Sequence, residues 1–394
     1  MKLSPSKLLQ GLGRNVVILG FVSLFTDISS EMLYPIIPLF LTVVLHAPMS
    51  VDGLIEGLAE STASLLKMVS GWWSDRVGRR QPFVVWGYSL SAISKPLLAL
   101  AATWHLVLVS RLIDRIGKGV RTSARDVMIA AACAPDARGK AFGLHRAMDT
   151  IGAFFGPILA VILLSVFHFS YQTIFIIAFI PAVIGVATLA FLQRETPIPK
   201  PAAGTAVAKA PISGELKKFV LIYGLFALGN SSDVFLLLKA KSIGLSANWV
   251  LMTYVFYNFV YAIAATPAGW LSDKLSRRTL MISGFVVFGV VYTGFAFAPN
   301  KLAIWILFAL YGFYAAATEG ASKALVTDLS TPQNRGTAMG LMHTVQGLLA
   351  FVASVVAGDR AVAEWIVSAP VGTRLAVSAG ADRAGSVRAE VKLD

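Results

Sequence analysis

The sequence predicts an all-α polytopic membrane protein, and three observations lead there. Hydrophobic residues make up 56% of the 394-residue chain and charged residues only 14%, whereas an ordinary soluble domain carries about 25% charge. Apolar stretches of about 20 residues recur, each long enough to cross about 30 Å of hydrocarbon as a helix. Basic residues between the stretches alternate sharply between the two sides of such a bundle.

In chain order the stretches are 16–45, 51–73, 82–102, 105–133, 141–166, 171–192, 218–238, 247–269, 279–297, 302–327 and 335–358, eleven clear spans. In lipid a helix satisfies its own backbone hydrogen bonds, so repeated spans mean a helix bundle. Lys2, Lys7 and Arg14 precede span 1 as in a signal peptide. The apolar run is too long for one and another span follows at once, so it reads as an uncleaved first helix. With the N-terminus in the cytoplasm, 17 Lys and Arg fall in inner segments and only Lys239, Lys241 and Lys301 in outer loops. The net charge of +13 is then topogenic, and nucleic acid is excluded as a partner because no soluble face collects the charge. Cys133 is the one cysteine, which excludes an intramolecular disulfide and a cysteine metal site. No HExxH, GxSxG or paired CxxC motif occurs, so neither enzyme chemistry, metal nor cofactor is expected.

Residues 193–217 form a polar, Pro/Ala-rich stretch that reads as a cytoplasmic linker. It separates an N-terminal six-helix half (1–192) from a second half with five clear helices (218–358), followed by an atypical non-spanning tail (359–394). The halves repeat. Gly71-Trp-Trp-Ser-Asp75-Arg76-Val-Gly78-Arg79-Arg80 recurs as Gly269-Trp-Leu-Ser-Asp273-Lys274-Leu-Ser276-Arg277-Arg278. Arg138-Gly-Lys-Ala-Phe-Gly143-Leu returns as Arg335-Gly-Thr-Ala-Met-Gly340-Leu, and Ser29-Ser30-Glu31 as Ser231-Ser232-Asp233. The three offsets are 198, 197 and 202 residues, as a duplicated half would leave.

The Gly-x-x-x-Asp-Arg-x-Gly-Arg-Arg loop between spans 2 and 3 resembles the signature loop of the major facilitator superfamily, with a weaker copy between spans 8 and 9. In span 5, Gly143, Gly152, Gly156 and Pro157 are similar to the motif of its drug/proton antiporter branch, although Ala160 stands where a further glycine is usual. Arg115-x-x-Lys118-Gly119 in span 4 is similar to a motif associated with proton transfer. The resemblance covers about residues 1–358. It implies two six-helix halves alternating a central cavity between the two sides of the membrane.

The loop residues also carry a physical reading. Asp75 lies where a carboxylate can meet the positive end of a neighbouring helix or a nearby Arg, closing the cytoplasmic side; Asp273 is its echo. Gly78 permits positive φ, and Arg76, Arg79 and Arg80 are expected to meet anionic headgroups. Small residues at Gly152 and Gly156 allow close helix approach.

Ionisable residues inside spans cost a few kcal/mol each unless paired or solvated. Asp27 and Glu31 share a face of span 1; Glu56, Glu60 and Lys67 share one in span 2; span 3 has Lys95; span 4 has Arg111, Asp114, Arg115, Lys118, Arg121, Arg125 and Asp126. Span 5 adds His145, Arg146 and Asp149, and the second half supplies Asn230, Asp233, Glu319 and Lys323. The acids of spans 1 and 2 are expected to find their cations in spans 3 and 4. The proton-coupling or substrate candidates are Asp27 and Glu31 with Arg115, then Glu60, Asp149, Asp233 and Glu319. Tyrosines 254, 257, 261, 311 and 314 and Asn258 follow helical spacing and suit a core better than a cavity wall.

The resemblance implies a secondary transporter of a small organic solute, with proton-coupled export as the leading expectation and protons and lipids as its other partners. It is expected to act as a monomer in a bacterial inner membrane. Proton-coupled uptake is the alternative, as is a membrane protein made transport-dead by its altered C-terminus. Residues 359–394 hold ten charged residues and no apolar run of 18, which suggests a twelfth helix lost or replaced, for instance by a reading-frame change.

Overall fold

A computed structural model describes residues 11–193, 212–229 and 233–357. The first helix, α1 (Arg14–Leu33), continues through a short helix, Ile36–Leu39, into a π-helical turn, Phe40–Val44. Then come α2 (Met49–Val77), α3 (Gln81–Ala99), α4 (Trp104–Ala131), α5 (Arg138–Ser165) and α6 (Tyr171–Thr188). After the linker follow α7 (Gly214–Gly229), a short helix Asp233–Ser242, α8 (Ala247–Lys274), α9 (Arg277–Ala296), α10 (Lys301–Asp328) and α11 (Arg335–Ala357).

These helices lie close to the expected spans, with two differences. The stretch 218–238 is divided between α7 and the short helix, and residues 230–232 lie outside the described residues. Helix α7 also begins at Gly214, inside the segment read as linker. Its start is fixed by the Ser213 hydroxyl, which accepts the Leu216 N–H at 3.2 Å, satisfying one of the donors that a helix start leaves free. The tail 359–394 lies outside the described residues.

Six described helical stretches are long and apolar enough to cross a membrane: Arg14–Val44, Pro135–Ser165, Tyr171–Phe191, Arg277–Ala296, Lys301–Asp328 and Arg335–Ala353. Helices α2 and α4 are equally long but carry the ionised side chains. They gain shelter from each other. Gly119 on α4 abuts Ala63 and Leu66 of α2, and a Cβ there would overlap both. The Ser70 hydroxyl donates to the Gly119 carbonyl at 2.9 Å, and that of Ser123 to the Lys67 carbonyl at 2.7 Å.

Within the first group, α1 packs on α5 and α6, α3 on α4 and α6, and α2 on α4. The later helices repeat part of this scheme, with α7 on α11, α9 on α10 and α8 on α10. Helix α6 fills the angle between α1 and α3. The angle between α7 and α9 forms a cavity of about 330 Å³ lined by Phe219, Ile222, Met281, Ile282 and Phe285. Outward-facing apolar side chains such as Ile176, Ile180, Val286 and Val290 are exposed, as a lipid-facing surface requires. The two groups of helices meet through α2 on α11 and α5 on α8.

Candidate functional site

The two contacts between the groups share one design. At the end of α2, Gly71 faces Gly336 at the start of α11 so closely that a Cβ on either would overlap the other's carbonyl oxygen. One turn on, Asp75 accepts the N–H of Gly336 at 3.1 Å, the N–H of Thr337 at 2.7 Å and the Thr337 hydroxyl at 2.9 Å. The second contact is its copy. Gly139 and Gly143 of α5 abut Gly269 of α8, and Asp273 accepts the N–H groups of Gly139 and Lys140, both at 2.7 Å. Each carboxylate thus caps the first turn of a helix belonging to the other group, where free N–H groups and the helix dipole favour negative charge.

Each also holds an arginine, Arg80 on Asp75 at 2.9 Å and Arg277 on Asp273 at 2.9 Å. Gly78 adopts φ 71°, ending α2 in the left-handed conformation expected of it. Arg76 lies over the Trp72 ring, 3.9 Å from its centroid, and Arg79 is exposed. Arg80 departs from the headgroup expectation. It is 1% exposed and also donates to the Pro332 carbonyl at 3.2 Å, because the loop turns it inward against Asp75. Both carboxylates lie just beyond their spans. Burial pushes Asp75 and Asp273 above the usual carboxylate range, while the donors around them pull the other way.

Away from this basic end the contact between α2 and α11 thins out. It reaches Ser64, whose carbonyl accepts the Thr344 hydroxyl at 2.6 Å and whose side chain abuts Gly347. Beyond that point Gly57 and Gly53 meet nothing within 4 Å among the described residues. Among those residues the bundle is closed at the basic end and open along α2 at the other.

The interior charges lie above the closure. Gly152 and Gly156 of α5 press on α1, where Cβ atoms would overlap the backbone at Leu24 and Ile28 and the Cβ atoms of Asp27 and Glu31. The α5 motif therefore sets the position of both α1 acids. Asp27 and Asp149 face each other within hydrogen-bonding range. Asp149 also accepts from the Ser23 hydroxyl at 2.6 Å and from Arg146 at 2.7 Å. Arg146 in turn donates to the Tyr261 hydroxyl of α8, and its field is shared with Glu319 of α10.

Some pairings differ from expectation. Arg115 does not pair with Asp27; its nearest carboxylate is Glu60 at 3.9 Å, and it acts on Glu31 only at longer range. Lys95 takes Asp114 of the adjoining helix at 2.7 Å rather than an acid of α1 or α2. Arg111 binds Glu56, its Nε donating at 2.8 Å. The Asp233 side chain lies outside the described residues. Tyr257, Tyr261, Tyr311 and Tyr314 are buried in a stacked core, with the Tyr257 and Tyr311 rings 5.0 Å apart.

One group of interior charges was not among the coupling or substrate candidates. Asp126, 0% exposed, meets Lys323 of α10 at 3.4 Å, His343 of α11 at 2.9 Å and Arg125 at 3.0 Å. It ties the groups together beneath the interior charges. The packing of α10 and α11 over α4 buries it.

Comparisons with known proteins give the family. The family model described as Major Facilitator Superfamily matches residues 19–354. An uncharacterized MFS-type transporter of Methanocaldococcus jannaschii is 38% identical over 356 residues, covering 88% of each chain. A multidrug resistance protein, MdtH, of Aeromonas salmonicida is 25% identical over 81% of this chain and 83% of its own. Among solved structures, the human organic anion transporter MFSD10 superimposes with a TM-score of 0.71 at 18% identity, covering 93% of this chain and 95% of that one. A family match over most of the chain, a duplicated closure and an ionised interior lead to one conclusion: the chain belongs to the major facilitator superfamily and is an integral, multi-pass membrane protein of that transporter family.

Proposed function

We propose that the protein exports a small organic solute across the plasma membrane in exchange for protons, alternating between the state seen here and one open at the basic, cytoplasmic end. The observation that carries this reading is the Asp27–Asp149 pair. Two carboxyl groups within hydrogen-bonding range cannot both be ionised cheaply, so one proton is held between them. The same Asp149 binds Arg146, which reaches across to Tyr261. Parting of α5 and α8 breaks the Arg146–Tyr261 bond and frees the guanidinium to neutralise both carboxylates, which releases the proton on the side then open. Proton occupancy and conformation are linked through one side chain. The α5 glycines support export, since their pattern is that of the drug/proton antiporter branch, and the multidrug relative is in keeping with it.

Asp75 and Asp273 act in this scheme as paired caps that close the cytoplasmic end and must leave their helix starts when it opens. The test uses inverted vesicles with an acid interior and a panel of organic acids and drug-like compounds. A transported compound is expected to dissipate the pH gradient in the wild type, and Asp27→Asn is expected to abolish that dissipation. Undiminished proton flux in the variant removes Asp27 from coupling, and solute movement in the same direction as the proton replaces export with uptake.

A further inference from the structure

We infer that Lys67, Arg115 and Lys118 form a subsite for an oxyanion of the transported solute, a carboxylate, sulfonate or phosphate group. The inference deepens the transport reading and rests on it for the word solute, but not on proton coupling.

Three other interior cations have short carboxylate partners. Lys95 lies 2.7 Å from Asp114, Arg146 lies 2.7 Å from Asp149, and Arg111 binds Glu56 at 2.8 Å. These are closed pairs that fix helix against helix. The three proposed residues are different. Among the described residues, neither the Lys67 nor the Lys118 ammonium group has a hydrogen bond, or a carboxylate within 4 Å. The buried Nε of Arg115 has no hydrogen-bond partner, since Glu60 at 3.9 Å is beyond hydrogen-bond length.

All three nevertheless act on one carboxylate, Glu60, with Arg115 3.9 Å from it. The field at Glu60 is shared by Lys118, Arg115 and Lys67, with Arg111 behind them, and the field at Glu31 by Lys118 and Arg115. Their arrangement follows from the sequence. Arg111, Arg115 and Lys118 recur at four and three residues along one face of α4, and Glu60 and Lys67 lie seven apart on α2. Gly119 brings that α4 face against α2 at Ala63 and Leu66. The Glu60 side chain is 55% exposed and lies on the open side of the contact that ends at Ser64.

Cations within a span are costly unless paired or solvated. Three of them face two carboxylates here, Glu60 and Glu31, and so leave one positive charge in excess. Electrostatics therefore favours a further anion. A planar guanidinium offers paired donors to an oxyanion, and two ammonium groups supply the remaining charge.

The test measures binding by the purified full-length protein without any gradient, using two dyes on one xanthene framework. Fluorescein carries negative charge and rhodamine 6G positive charge. Fluorescence polarisation is expected to show saturable fluorescein binding, weakened about tenfold or more by Arg115→Gln and by Lys118→Gln. Arg115→Lys, which keeps the charge, is expected to lose less. Lys118→Gln breaks no ion pair, so its fold is expected to survive, checked by an unchanged melting temperature. Absent fluorescein binding, preference for rhodamine 6G, or unchanged affinity in both Gln variants overturns the subsite. Retained fluorescein binding with gradient-driven transport intact in Asp27→Asn overturns only the proton coupling.

Discussion

At the scale of single residues, interior charge sets the chemistry and small side chains set where the charge stands. Gly156 shows the second role. A Cβ there would lie 2.8 Å from the Glu31 Cβ and 2.9 Å from the Ile28 carbonyl oxygen, so Gly156→Leu must push α5 off α1. Overpacking of this kind costs about 1–3 kcal/mol, and the variant is expected to melt several degrees below the wild type in detergent, read by thermal unfolding. Gly57, with nothing within 4 Å, is the control: Gly57→Ala is expected to leave the melting temperature nearly unchanged. This residue scale was only partly legible in the sequence. Asp27, Glu31 and Asp149 could be picked out because ionisable groups within apolar runs are conspicuous. Their pairing could not be read, since the choice between Arg115 and Asp149 as the neighbour of Asp27 depends on how two glycines rotate α5 against α1.

At the scale of elements, the closure is two helix ends capped by two helix starts. Its existence was legible: the repeated Gly-x-x-x-Asp motif and the repeated Arg-Gly-x-Ala motif are the two sides of each contact, and their offsets of 198 and 197 residues match. The inward turn of Arg80 was not, because a cluster of three arginines reads the same whether one faces lipid headgroups or a carboxylate. The cap predicts a divergence between two substitutions. Asp75→Ala leaves the N–H groups of Gly336 and Thr337 without their acceptor. Hydrogen bonds to a charged group are worth about 1.5–3 kcal/mol, so opening at the basic end is expected to grow about 10- to 100-fold. A cysteine placed at buried Ser64 in a Cys133→Ser background reads this as faster thiol labelling from the basic side. Asp75→Asn keeps an acceptor oxygen and is expected to label far more slowly than Asp75→Ala. The pH dependence has the same origin. Burial raises Asp75 in the closed state, while the open state hydrates it, so the closed state binds its proton more tightly. Closure is therefore expected to gain as pH on that side falls toward the raised value, and labelling to slow. Labelling that quickens on acidification contradicts the assignment of Asp75 as a buried cap.

At the scale of the whole molecule, the question is what makes two groups of helices move as units. The outer caps alone would allow each helix pair to open separately. Asp126 prevents this by binding both α10, through Lys323, and α11, through His343, from its place on α4. A carboxylate with no exposure cannot part from one of these partners without water reaching it, so opening is all-or-none at this depth. Breaking one side of a buried pair costs about 3–5 kcal/mol because the other charge stays buried, whereas replacing both with apolar groups is often close to neutral. Lys323→Met is thus expected to destabilise the closed state strongly, as is Asp126→Leu, each read as increased labelling of the Ser64 reporter. The double variant Asp126→Leu, Lys323→Met is expected to label more slowly than either single variant, a non-additivity that only a direct pair gives. Arg125 and His343 are the remaining partners in that double variant, and with Asp126 gone both lose the carboxylate they hold. If the two single effects simply add, Asp126 and Lys323 act on separate parts of the bundle, and cooperative opening must come from the outer caps instead.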